Sequence, residues 1–410
     1  MTTRKYLMRY PEERVLEDAA FGHGLTPARV FAVLLPVWQV EVRATTTDGR
    51  PYALIDRYLE RGIAEAGLGT VGELAAFLAL DEALVDRALR VLGRLGHIRT
   101  RDGRIELTEL GTRSHRDQVC YIVEREDRRK LYFDGFRSFP LSRAHYDAGV
   151  VTFLSPQDIP AATSGDRNRI FKMLHTTRGF RREALMELAG RPDRDYFNLP
   201  LRIDRPESLG EECVYLPTFI VRALEPGGRV RHLVYSQASD AADPDLGELC
   251  ETTPEISFVL ESDAAASSAA RAETRITEWL RRMSLEDCRP VRSAHGAWRV
   301  VVPAKSFEPQ GRVPLHKLGS FVVSGTDLLH IWCTDRKTRE RALLERVDLF
   351  LGRRTRSGAD KVKNQAARMV RQLELGAVGL PEIRDLAVGA GFRDLAARLG
   401  EVLNSGVSEI

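Results

Sequence analysis

Between positions 51 and 96, apolar residues recur at three- and four-residue steps in three successive stretches; the period then changes to two. Leu54, Ile55, Tyr58, Leu59 and Ile63 fall on one face of a first predicted helix, ended by Gly67 and Gly69. Thr70, with Glu73 three residues on, has the form of a capping box, and Leu74, Phe77 and Leu78 supply the buried face of a second helix. Asp81 opens a third, in which Val85, Ala88, Leu89, Leu92 and Leu95 line one side and Arg87, Arg90 and Arg94 the other. Past Gly96, residues 97–101 and 104–108 alternate as short strands around Asp102-Gly103, a strong hairpin signal, and carry Arg99, Arg101 and Arg104. Residues 108–111 lead into a polar, partly basic segment that runs through Arg116.

Three helices and a hairpin in this order, the third helix leucine-rich and ending in Gly, resemble a winged helix-turn-helix domain over residues 51–117, about a sixth of the chain. The resemblance implies nucleic-acid binding through the third helix and the wing. The first turn of that helix, Asp81-Glu82-Ala83-Leu84-Val85-Asp86, would repel phosphate, so base readout is not expected. The arginines at 87, 90, 94, 99, 101 and 104 suit backbone contact instead, which is weakly sequence-selective and strongly salt-dependent. The alternative is that they form the solvated face of a protein-interaction module. The nucleic-acid reading requires that this face be neither covered nor neutralised by neighbouring acids.

Residues 1–50 are expected to form an N-terminal arm. Thr26-Pro27 starts a helix, residues 30–35 continue it and Pro36 stops it; residues 38–43 alternate as a strand before a turn at Asp48-Gly49-Arg50-Pro51. Gly22-His23-Gly24 lacks the further glycine and lysine of a phosphate loop. Residues 118–240 predict a β-rich domain. It would hold a hairpin of 121–123 and 130–133 around the charged run 124–129, a strand at 150–154, and a helical insertion at 168–189 carrying Arg178, Arg181 and Arg182. A second hairpin of 213–223 and 230–236 would turn through Pro226-Gly227-Gly228. Tyr132, Phe133, Phe136 and Phe139 are stacking candidates, or the core of the sheet, as aromatics in strands usually are.

After an Ala- and Asp-rich break at 238–245, residues 250–352 read as an α/β domain: strand 255–260, helix 264–283, strand 298–302, a hairpin of 320–323 and 328–333 about Gly325, and helix 336–351. Residues 353–410 form a helical tail that opens with Arg353, Arg354, Arg356, Lys361 and Lys363 about a turn at Ser357-Gly358. The expected fold class is α+β and multidomain, with a winged helix near the N-terminus, a β-rich middle domain and an α/β C-terminal domain with a helical tail.

The element order of residues 253–351 is similar to the half-unit of phospholipase D-like folds. That family needs a histidine, a lysine two residues on and an aspartate; here His316 is followed directly by Lys317, and Ser320 and Ser324 stand where lysine and aspartate are required. The resemblance therefore implies an inactive copy. Asp327, Asp335 and Lys337 suggest a magnesium-dependent nuclease instead, since strand alternation would put all three on one face. His330 and Cys333 fall on opposite faces of the same strand, so a shared metal is not expected.

Composition narrows the class. With 410 residues, 43% hydrophobic and 29% charged, the chain is an ordinary globular one, and a net charge of only +3 means that any basic footprint must be local. Five cysteines without a Cys-x-x-Cys pair fit a reducing compartment better than a disulfide frame or a zinc site. Residues 1–14 are too charged for a signal region and the longest apolar run, 30–38, is broken by Pro36, so a cytoplasmic protein without membrane spans is expected. No cofactor, metal or catalytic site is expected. The expected function is non-catalytic binding of nucleic acid, duplex DNA foremost, alone or within a larger assembly; a protein-interaction scaffold and the nuclease are the alternatives.

Overall fold

The computed structural model describes residues 7–160, 171–197, 199, 202–266, 269–293, 297–353 and 358–405. In chain order its main elements are α1 (Glu12–Glu17), a π-helical turn (Asp18–Gly22), β1 (Thr26–Arg50), α2 (Leu54–Ala66), α3 (Val71–Leu78), α4 (Glu82–Arg94), β2 (Ile98–Arg101), β3 (Arg104–Leu107), α5 (Glu109–Asp117) and β4 (Cys120–Asp134). There follow β5 (Lys172–Met173), α6 (Glu183–Gly190), β6 (Arg202–Leu224), β7 (Val230–Ser236), α7 (Pro244–Thr252), α8 (Pro254–Ala266), α9 (Ala269–Arg282), β8 (Pro290–Arg292), β9 (Trp298–Val301), β10 (Phe321–Ser324), β11 (Asp327–Trp332), α10 (Arg336–Arg353), α11 (Ala359–Gln372), α12 (Leu380–Gly389) and α13 (Arg393–Ser405). The protein is of mixed α/β type and divides into two compact units. The first comprises Met1–Leu35, Gly149–His175 and Tyr215–Ile410; the second, Pro36–Ala148 and Thr176–Val214.

In the second unit, β1 and β4 pair antiparallel from Val37 opposite Asp134 to Arg50 opposite Cys120, with a register shift between Asp48 and Gly49. Helices α2 to α5 and the β2–β3 hairpin are inserted between these paired strand ends. Leu59, Ile63, Leu74, Val85, Leu89 and Leu92 form the core of the insertion, closed by Ile98, Ile105 and Leu107 from the hairpin. A separate core lies on the β1–β4 ribbon. There Val40, Val42, Leu131 and Phe133, two residues apart on each strand and so on one face, meet Ala184, Leu185 and Leu188 of α6.

A buried ion pair ties the insertion to its base. His97 and Glu60 are both fully inaccessible, with Nδ1 and Oε1 2.5 Å apart. The other imidazole nitrogen meets the Tyr121 carbonyl, and the Tyr52 hydroxyl donates to Glu60 Oε2 at 2.5 Å. A carbonyl can only accept, so Nε2 carries a proton, and the carboxylate at Nδ1 favours a second one. Burial alone would lower the His97 pKa, but the hydrogen bonds to Glu60 and Tyr121 and the charges of Glu60 and Asp56 outweigh it, leaving the value above the usual 6.5.

In the first unit, four strands run in the order β10-β11-β9-β8, with β11 and β9 parallel and the other pairs antiparallel. Ile276 and Leu280 of α9, Leu343 and Val347 of α10, and Val362 and Met369 of α11 join Trp298, Val300, Leu329 and Ile331 in its main core. At the start of β11, Asp327 is buried, its carboxylate held by Arg29 at 2.8 Å and Arg275 at 2.5 Å. The β6–β7 hairpin pairs Thr218 with Ser236 through Leu224 with Val230, and its turn places Gly228 at φ +83°.

Several elements differ from the sequence expectation. Residues 26–36 are strand, not helix, and 48–50 continue β1 instead of turning. Conversely, 255–260 lie in the helix α8. Both are short apolar runs, whose period cannot separate a buried strand from a buried helix. The charged run 124–129 is the middle of β4 and not a hairpin turn, because its backbone pairs along β1. Residues 150–154 contribute only one bridge, Leu154 to Tyr215. Of the helix expected at 168–189, positions 168–170 lie outside the described residues, 172–173 are strand, and helix begins at Glu183. The polar segment after Thr108 is the helix α5, capped by the Thr108 hydroxyl on Gly111 N–H at 3.2 Å.

The raised His97 pKa fixes a sign. Its contribution is complete below about pH 6.5 and is lost as pH climbs through the folded-state value. Hydrogen exchange of α2 and α5, corrected for intrinsic rates, should show easier opening as pH rises from about 6.5 through the folded-state value. His97→Gln should remove that dependence, and Glu60→Ala should cost about 3–5 kcal/mol. A wild-type profile flat in pH would rule out the charged pair.

Candidate nucleic-acid interface

The helices of the insertion start where their caps stand. The Thr70 hydroxyl accepts from Glu73 N–H at 3.2 Å, and the Glu73 carboxylate accepts in return from Thr70 N–H at 3.1 Å and Gly69 N–H at 2.8 Å. Those backbone bonds, Gly69 first, hold the Glu73 carboxyl below its usual range. Asp81 accepts from Ala83 N–H at 2.8 Å and starts α4. Asp102 and Gly103 both adopt positive φ, 52° and 77°, as a two-residue hairpin turn requires. The hairpin is held against the α2–α3 loop, because Ile105 N–H donates to the Gly69 carbonyl at 2.8 Å. A Cβ on Gly69 would lie 2.7 Å from Arg104 Nε, so any larger residue there would displace the Arg104 guanidinium.

All six predicted contact residues, Arg87, Arg90, Arg94, Arg99, Arg101 and Arg104, are exposed. Arg87, Arg90 and Arg94 recur on one face of α4. Four of the six have an acid beside them. Arg90 pairs with Asp86, Arg99 with its cross-strand neighbour Glu106 at 3.4 Å, Arg101 with Asp102 at 3.9 Å, and Arg104 with Glu73 at 3.7 Å. Among the described residues Arg87 and Arg94 have no carboxylate within ion-pair distance. Residues 51–117 as a whole carry ten arginines against eleven Asp and Glu. The face is therefore uncovered but substantially neutralised, and its uncompensated charge rests on α4.

A second feature was missed at the level of sequence. Phe77 is 63% exposed, and Leu80 and Leu84 beside it in the α3–α4 turn are exposed as well. Helical spacing put Phe77 in the core; Leu74, Ala75 and Leu78 fill that space instead. Leu54 and Tyr58, also expected inward on α2, are exposed.

Phe133 and Phe136 are buried, while Tyr132 and Phe139 are half-buried, Phe139 packing on Phe197 with ring centroids 5.8 Å apart. Arg181 pairs with Glu187 at 2.9 Å and Arg182 with Glu211 at 3.2 Å. Asp327, Asp335 and Lys337 do not share a strand face: β11 ends at Trp332, Asp335 caps α10 by accepting from Thr338 N–H at 2.8 Å, and Lys337 is inside that helix. His330 is packed between Phe321 and Trp332, and burial pulls its pKa down to about 4. In the basic stretch that opens the C-terminal tail, Arg354, Arg356 and Ser357 lie outside the described residues, as does the side chain of Arg353. Among the described residues, no group of three His, Cys, Asp or Glu is placed to hold a metal ion, and no helix is long and apolar enough to cross a membrane.

No family model matches the chain, and neither a curated protein nor a solved structure was found to be similar to it.

Exposed arginines of an interface should be separable from the fold. Arg87→Ala and Arg94→Ala are expected to change the unfolding free energy by less than about 0.5 kcal/mol, whereas Thr70→Ala should cost about 1 kcal/mol. Urea denaturation followed by circular dichroism checks both. A loss above about 1 kcal/mol from either arginine would assign it to the fold and not to a contact surface.

Proposed function

We propose that residues 51–117 are a winged helix-turn-helix module that binds nucleic acid, foremost duplex DNA, through its backbone and without catalysis. The observation that carries this reading is the pair Arg87 and Arg94, exposed one above the other on α4 with no acid beside them. The four paired arginines add to it conditionally. Exposed ion pairs are worth about 0–1 kcal/mol, so a phosphate can replace Asp86, Glu106, Asp102 or Glu73 at small cost. Asp81, Glu82 and Asp86 at the start of α4 leave no favourable approach to base edges, so sequence preference is weak.

A second reading, docking of a protein partner, is favoured by one observation. Phe77, Leu80 and Leu84 are exposed together at the turn where a recognition helix would begin. The two readings use different side chains and separate cleanly.

Fluorescence anisotropy on a random-sequence duplex is the test. The logarithm of affinity should fall against the logarithm of salt with a slope between about −2, from Arg87 and Arg94 alone, and about −5, from all six arginines. Arg87→Ala with Arg94→Ala should abolish most binding, Arg99→Ala with Arg101→Ala should weaken it further, and Glu106→Gln, which releases Arg99, should strengthen it. Phe77→Ser should leave it unchanged. Absence of binding at low salt, or binding indifferent to the α4 arginines, would sink the nucleic-acid reading and leave the apolar turn as the functional surface.

A further inference from the structure

The first unit contains a groove with an unusual cation in its wall. Arg346, Leu349 and Phe350 are three and four residues apart on α10, and Lys361, Gln365 and Met369 are four apart on α11, so each helix turns one stripe to the same space. Two cavities of about 540 and 140 Å³ result, which share Arg14, Arg346, Gln365 and Met369. The smaller is also lined by His316 and Arg368.

Arg346 is held but not neutralised. Its Nη2 donates to the carbonyls of His316, at 2.9 Å, and Leu318, while its Nη1 is buried without a hydrogen-bond partner among the described residues. Burial pulls the guanidinium's pKa down, with the charge of Glu17 opposing it. Glu17 is itself engaged, accepting from Ser320 Oγ at 2.6 Å and Gln372 Nε2 at 2.9 Å. A half-buried guanidinium whose partners are carbonyls forgoes the compensation that a carboxylate would supply, and an anion in the cavity would supply it through its field, since Nη1 itself is closed to the cavity.

The other charges on the wall favour the same ligand. Lys361 is exposed, Arg14 pairs with Asp240 at 3.1 Å in an exposed contact, and Arg368 is ion-paired with Asp18. Four cations, Arg14, Arg346, Lys361 and Arg368, thus stand against three carboxylates, Glu17 and Asp240 on the wall and Asp18 behind Arg368. Burial, then Lys317 and Arg346, lower the His316 pKa and keep the imidazole neutral, able to hydrogen-bond without adding charge. Several converging cations suit a dianion better than a single carboxylate. Leu349, Phe350 and Met369 supply an apolar wall beside those cations.

We infer that this groove binds a phosphate monoester carrying a planar or apolar body, an anion of mononucleotide size, with the phosphate on Lys361 beside the Arg346 charge and the body against Leu349, Phe350 and Met369. The inference is independent of the reading proposed for residues 51–117.

Calorimetric titration of the full chain with AMP, inorganic phosphate and adenosine tests it. AMP should bind most tightly and inorganic phosphate more weakly. Adenosine should bind at least about ten-fold more weakly than AMP, the scale of one lost charge-assisted contact. Lys361→Glu, an exposed substitution that leaves the fold intact, should weaken AMP about ten-fold or more. No heat with AMP or phosphate at millimolar concentration, adenosine binding as well as AMP, or AMP affinity unchanged in Lys361→Glu would overturn the assignment.

Discussion

The arrangement of the second unit depends on one buried contact, between His97 and Glu60. Glu60 belongs to α2, His97 lies between α4 and β2, its ring meets the Tyr121 carbonyl in β4, and Tyr52 closes on the same carboxylate just past β1. Four chain segments are thereby fixed by two side chains. The main chain adds to this: Thr108 N–H and hydroxyl both reach the His97 carbonyl, and a Cβ on Gly111 would stand 2.2 Å from it. An ion pair taken wholly out of water costs several kcal/mol per charge unless every lone pair and proton finds a partner. Here both imidazole nitrogens and both carboxylate oxygens do, so the pair can specify where the hairpin sits without a large net penalty.

The direction of the arginines follows from that anchoring. With Ile98, Ile105 and Leu107 held inward by the core, Arg99, Arg101 and Arg104 must project outward, and the apolar side of α4 sends Arg87, Arg90 and Arg94 to solvent. The six arginines by themselves would make this a basic surface. Position decides otherwise: Glu106 faces Arg99 across the hairpin and Asp86 precedes Arg90 by one helical turn. In the first unit the situation is reversed, since Arg346 is largely desolvated and meets only carbonyls. The energetic weight of a charge here is set by burial and partner rather than by local density, which is why a net charge of +3 says so little about either surface.

Much of the insertion was legible. The Thr70–Glu73 box, the Asp81 cap, the Asp102-Gly103 turn and the order of α2 to α4 are local features, decided within a few residues of where they are written. The C-terminal helices and the turn at Gly325 were legible for the same reason. The Arg99–Glu106 pair could also have been read, because a two-residue turn at 102 and 103 puts those positions opposite each other. What could not be read depends on distant partners. Residues 26–36 become strand only because β1 has neighbours from residues far along the chain, and 255–260 become helix although the same apolar density suits a strand. Phe77 and Tyr58 satisfy the helical period yet face solvent, since periodicity identifies a stripe but not how wide the covered part of it is. Arg346 carries no local mark at all; its burial comes from α11 and from the 315–318 segment.

The register of β1 and β4 adds a last consequence. Arg50 stands opposite Cys120 and Gly49 opposite Tyr121, so the chain leaves one strand of the ribbon and returns to the other at neighbouring positions, with residues 51–119 between them. An insertion whose two ends are this close can keep its own core, and Leu59, Leu74, Val85 and Leu92 form one distinct from the cluster around Phe133 and Leu188. Independence of core without independence of position requires an attachment at the junction, and Tyr52, Glu60, His97 and Tyr121 lie there. The same network that fixes the hairpin therefore also fixes the inserted module to the ribbon that carries it, and a change in the His97 charge acts on both.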